Sequence, residues 1–102
     1  MDVHPKKKIE VVVETPMVRR VLEIMKEHGG KGATVMHILR GQGTSGDWSD
    51  KDPGSATDMQ MVMVITGPRR AAVIRDAVYE ALTDYRGMIL ISDVEVIRNE
   101  HF

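Results

Sequence analysis

The chain has 102 residues, 42% of them hydrophobic and 28% charged, with a formal net charge of −1 and no cysteine. One domain of this length buries a modest core and often gains stability by associating. The totals exclude disulfides, thiolate metal sites and thiol catalysis, and the near-neutral charge offers no global field for nucleic acid.

Taken in chain order, residues 8–14 alternate as a strand, with Ile9, Val11 and Val13 on one face and Lys8, Glu10, Val12 and Glu14 on the other. Thr15-Pro16 then suits a helix start, with Thr15 as cap. Val18, Val21, Leu22 and Met25 form its apolar stripe, and Gly29-Gly30 ends it. Residues 33–39 read as a second strand containing His37, expected to be packed. A polar loop, 41–58, follows. Residues 59–65 form a third strand, with Met59, Met61, Met63 and Ile65 on one face and Gln60, Val62 and Val64 on the other. Thr66-Gly67-Pro68 repeats the helix start. Ile74, Ala77, Val78, Ala81, Leu82 and Tyr85 mark the second helix, and Gly87 separates it from a last strand, 88–98.

The order is βαββαβ in a single domain, 1–102. It predicts an α+β, ferredoxin-like fold: a four-stranded antiparallel sheet with both helices on one face and a long insertion between strands 2 and 3. Both faces of the third strand are apolar. A sheet covered on one side only would leave Val12, Val62 and Val64 in water, so the second face is expected to be covered by another copy of the chain. Arg19-Arg20, Arg69-Arg70 and Lys6-Lys7-Lys8 read as solvated faces and a strand edge.

Gly41 to Gly46 spells G-x-G-x-x-G, but no helix can be read after it to receive a pyrophosphate. What survives is that glycines allow close backbone approach and successive amides can cradle an anion. Gly29-Gly30-Lys31-Gly32 lacks the Ser or Thr of a phosphate loop. The four histidines are not at metal-ligand spacing, and Ser45, Ser49 and Ser55 have no context of an activated nucleophile. No enzyme is expected. Loops longer than about 12–15 residues are usually functional or disordered. This one holds Asp47, Asp50, Asp52, Asp58 and the single tryptophan, Trp48, which suits packing on a partner or ligand.

Two stretches resemble a known family. Thr34-Val35-Met36, then four residues, then Gly41-Gln42-Gly43, is similar to the second strand and T-loop entry of PII signalling proteins. Residues 84–92, Asp-Tyr-Arg-Gly-Met-Ile-Leu-Ile-Ser, resemble the B-loop and last strand of the PII-like branch tied to bicarbonate uptake and carboxysomes, as does the run from Gly30 to Met36. The resemblance implies a homotrimer that binds an adenine nucleotide in clefts between subunits. It implies a nucleotide site at Thr34, Gly41, Gln42, Gly43, Thr44, Arg86, Gly87 and Arg98, with Thr34 near the adenine and Arg98 on the phosphates. The T-loop, through Ser45, Asp47 and Trp48, would then signal to a protein target, a transporter or a carbon-metabolism protein.

Departures from the family pattern shape the ligand. Thr44-Ser45 stand where PII proteins place Arg-Gln, Arg86 is the one cation beside Gly87, and Arg98 stands alone. Each charge-assisted hydrogen bond lost is worth about 1.5–3 kcal/mol, so AMP or ADP is favoured over ATP. Bicarbonate is a further ligand by family analogy. The loop has no tyrosine to modify. The rival reading is a structural or metal-handling trimer of the same fold. The chain is expected in the cytoplasm, since residues 1–5 lack the apolar region of a leader and no apolar run suits membrane insertion. Nucleic acid is not an expected partner.

Overall fold

The computed structural model describes residues 1–38 and 58–98 with their side chains, and the backbone of residues 40–43 and 46–49. Strand β1 is His4–Glu14, α1 is Val18–Glu27 after a 3₁₀ turn at Thr15–Met17, and β2 is Thr34–His37. A short ribbon follows, β3 at Arg40–Gly43 and β4 at Gly46–Ser49. Then come β5 at Met59–Thr66, α2 at Pro68–Ala81 and β6 at Gly87–Val96. The main sheet has the order β2-β5-β1-β6 with every pairing antiparallel, and β3 and β4 form a separate two-stranded sheet. This is the ferredoxin-like arrangement predicted from the βαββαβ order.

One face of the sheet carries both helices. Ile9, Val11 and Val13 of β1 are buried there against Val21, Ile24 and Met25 of α1 and Ala71, Ile74 and Val78 of α2. The period-2 pattern of β1 therefore chose its faces correctly. In β5 the assignment is reversed. Val62 and Val64 are 0% exposed and belong to this core, because they lie opposite Val11 and Ile9. The open face carries Met61, Met63 and Ile65, with Val12 beside them. With apolar residues on both sides of β5, periodicity alone cannot say which side meets the helices.

β1 begins four residues before its predicted start, so Lys6, Lys7 and Lys8 lie inside a central strand and not at a strand edge. The charges of Lys7 and Lys8 are tolerated because partners stand next to them. Lys7 pairs with Asp93, its cross-strand neighbour, and Lys8 lies 3.4 Å from Glu10.

Both helix starts lack the side-chain cap expected from the sequence. Thr15 instead donates from its hydroxyl (3.1 Å) and its N–H (2.9 Å) to the carbonyl of Asp58. The glycines end α1 as predicted, and the mechanism is a Schellman motif. Gly29 N–H bonds Lys26 O, Gly30 N–H bonds Met25 O at 2.7 Å, and Gly29 sits at φ +84°. Arg70 donates to Gly29 O from α2, tying the two helices together. The second helix ends at Ala81, so Tyr85 is not part of its buried stripe and is 54% exposed. His37 is likewise exposed, not packed, because β2 is an edge strand.

Candidate functional site

The register brings the loop ends into one line. His37 lies opposite Gln60, Gln60 opposite Val13, and Val13 opposite Gly87. The end of β2, the starts of β5 and β6 and the end of β1 therefore share one end of the sheet. The entry to the 41–58 segment leaves from the β2 edge, where Ile38 N–H still bonds Met59 O. Its return is held at the middle, where Asp58 O accepts both bonds from Thr15. Asp58 Oδ1 is buried and has no hydrogen-bond partner among the described residues.

The predicted glycines stand in the ribbon. Gly41 is the register partner of Trp48, Gln42 of Asp47, and Gly43 of Gly46. The stretch read as an unstructured loop thus contains paired strands. The signal that could have found them is Gly43 and Gly46 separated by two residues, the spacing of a tight hairpin. It was hidden because neither flank alternates in hydrophobicity. Thr44 and Ser45 lie outside the described residues, as do Asp50 and Asp52.

On the other edge, α2 gives way to β6 through a short turn. Thr83 Oγ1 donates to the carbonyls of Tyr79 (3.3 Å) and Glu80 (3.1 Å), and Tyr85 N–H bonds Leu82 O. Thr83 is a residue that sequence reasoning missed. It adds a side-chain bond to carbonyls of the last helical turn, the Glu80 carbonyl also accepting from Thr83 N–H. Gly87 opens β6 so close to β1 that a Cβ there would sit 3.0 Å from Val12 O. A cleft of about 350 Å³ lies beside it, lined by Tyr79, Leu82, Thr83 and Ile89. Arg86, adjacent, is exposed.

These parts do not converge within one protomer. β2 and β6 are the two edges of the sheet, separated by three strand spacings, about 14 Å. Thr34 opens β2 on the open face, in the row of Met63, Glu10 and Leu90. Arg98 lies beyond the far end of β6, whose ten residues span about 30 Å. The segment leading to Gly41 thus leaves from one edge and Gly87 opens the other edge at the same end of the sheet, while Arg98 stands at the other end. Among the described residues no three of His, Asp or Glu lie together in a way that could hold a metal ion.

The family model for nitrogen regulatory protein P-II matches residues 6–101. The chain belongs to the P-II family. No curated protein matches it in sequence. Among solved structures, CPII from Thiomonas intermedia K12, a nitrogen regulatory PII-like protein bound to ADP, AMP and bicarbonate, superposes with a TM-score of 0.84 at 18% identity, covering 95% of this chain and 92% of that one. A putative PII-like signaling protein from Thermus thermophilus gives a TM-score of 0.74 at 22% identity over 95% and 94% of the two chains. The B. subtilis GlnK–ATP complex gives 0.64 at 11% identity over 88% and 82%. At these identities the likeness establishes the fold.

Proposed function

We propose that this P-II family chain is a non-enzymatic cytoplasmic sensor. It binds an adenine nucleotide, ADP or AMP in preference to ATP, together with bicarbonate, in clefts between the subunits of a homotrimer. Its T-loop then presents Ser45, Asp47 and Trp48 to a protein target in inorganic-carbon metabolism.

The observation that carries this reading is the separation of the two glycine-bearing edges at the same end of the sheet. Placing the β2 edge of one copy against the β6 edge of the next brings Gly41, Gln42 and Gly43 beside Arg86 and Gly87. Such a head-to-tail contact closes into a ring. Three sheets meeting edge to edge also turn their open faces inward, which covers Val12, Met61, Met63 and Ile65. CPII, with the same fold, binds ADP, AMP and bicarbonate, which supports the ligand class. For a switch, the ligand must prefer one T-loop state over another.

Calorimetry with AMP, ADP, ATP and cyclic AMP, each with and without bicarbonate, tests the reading. Heat with ADP or AMP is expected, larger than with ATP. Absence of heat with all four nucleotides sinks it. Gly43→Glu is expected to abolish nucleotide binding while the oligomer persists. Normal binding by that variant would show that the phosphate site lies elsewhere.

A further inference from the structure

The open face holds one feature that an apolar contact between copies does not explain. Lys8 and Glu10 lie on it side by side, Nζ to Oε1 3.4 Å, with side chains 30% and 21% exposed. Their cross-strand neighbours on the same face are Ile65 and Ser92 for Lys8, and Met63 and Leu90 for Glu10. An ion pair thus stands against apolar Met63, Ile65 and Leu90, with Ser92 and Lys6 on the same face. Resting on the reading that copies of the chain cover this face, we propose that Lys8 and Glu10 form its polar centre. Each pairs with its opposite number on a neighbouring copy, and together they select the chain's own copies as partners.

The geometry puts these side chains where the copies meet. β1 is one of the two central strands. A four-stranded sheet is about 19 Å wide, so three sheets set edge to edge enclose a triangle whose walls stand only about 5.5 Å from its axis. A lysine or glutamate side chain on a central strand spans that gap. There the pair leaves water. One contact within the strand uses a fraction of the three donors of an ammonium and the lone pairs of a carboxylate. A desolvated pair left in that condition is costly. A second copy brings an identical pair, so the patch is self-complementary in charge as well as apolar around it. A partner of other chemistry would need its own cation and anion at the same spacing.

Native mass spectrometry and sedimentation across a dilution series test this, with circular dichroism melts to verify folding. The wild-type chain is expected to be a trimer. Lys8→Glu and Glu10→Lys should each weaken association by at least about a hundredfold. The double variant K8E/E10K, which restores opposite charges with the sites exchanged, should recover it. Where a reversal fails to fold, Lys8→Gln and Glu10→Gln serve, and each should still weaken association by at least about tenfold, the size of a lost charged hydrogen bond. A folded single variant that assembles like the wild type overturns the inference and leaves the covering reading intact. So does a folded double variant that stays dissociated. A wild-type chain that remains monomeric overturns the covering reading itself.

Discussion

Gly30 illustrates how a single missing side chain can hold two helices and a sheet together. A Cβ there would lie 2.9 Å from Met25 O and 3.3 Å from both Ile74 Cδ1 and Val64 Cγ2. Backbone cannot move aside as a flexible side chain can. Gly30→Ala should therefore destabilise the chain by about 1–3 kcal/mol, as overpacking does. Gly29→Ala, at φ +84°, should cost about 1–2 kcal/mol through the left-handed backbone alone. Urea denaturation of both variants checks this, and an unchanged midpoint for Gly30→Ala would show that α1 shifts freely. The triplet Gly29-Gly30-Lys31 that superficially suggests a phosphate loop is thus accounted for by helix termination and close packing.

At the scale of elements, the junctions decide more than the elements themselves. Thr15 reads as a helix cap, yet both of its bonds go to Asp58, where the 41–58 segment returns to β5. The hydroxyl gains a partner 43 positions away that no local pattern reveals. Thr15→Val removes that bond and keeps the shape. It should cost about 1 kcal/mol and raise amide exchange at Met59 and Gln60, where β5 begins, more than at α2. Equal exchange throughout would mean that the bond does not anchor the loop's return. Thr83 acts similarly in the turn between α2 and β6, bonding the Tyr79 and Glu80 carbonyls just before Gly87.

At the scale of the whole molecule, Arg98 is the informative residue. It stands the length of β6 away from Gly87, so no single copy can bring both to one phosphate. This makes a complementation experiment decisive. Arg98→Ala and Arg86→Ala variants should each lose ADP binding. Mixed oligomers, made by unfolding and refolding the two together, should regain part of it, because some clefts then draw an intact Arg86 and an intact Arg98 from different chains. Continued silence of the mixture, with mixing verified by mass spectrometry, would place Arg98 outside the cleft.

The amino-acid sequence by itself determined the number, type and order of the main elements. Alternation in β1 and the helical stripes of α1 and α2 are local periodicities, and they named Ile9, Val11, Val13, Val21, Met25, Ile74 and Val78 as apolar faces that the core then buried. The motif spacings around Thr34, Gly41 and Gly87 likewise pointed to the P-II family. Tertiary structure decided which face of β5 meets the helices, because Val62 and Val64 compete with Met61 and Met63 on hydrophobicity alone and only their register against Ile9 and Val11 breaks the tie. It also decided that the end of β2, which leads to Gly41, and the start of β6 at Gly87 occupy opposite edges of the same end. That relation depends on strand order, β2-β5-β1-β6, which is set by non-local pairing and leaves no trace in any single stretch of the chain.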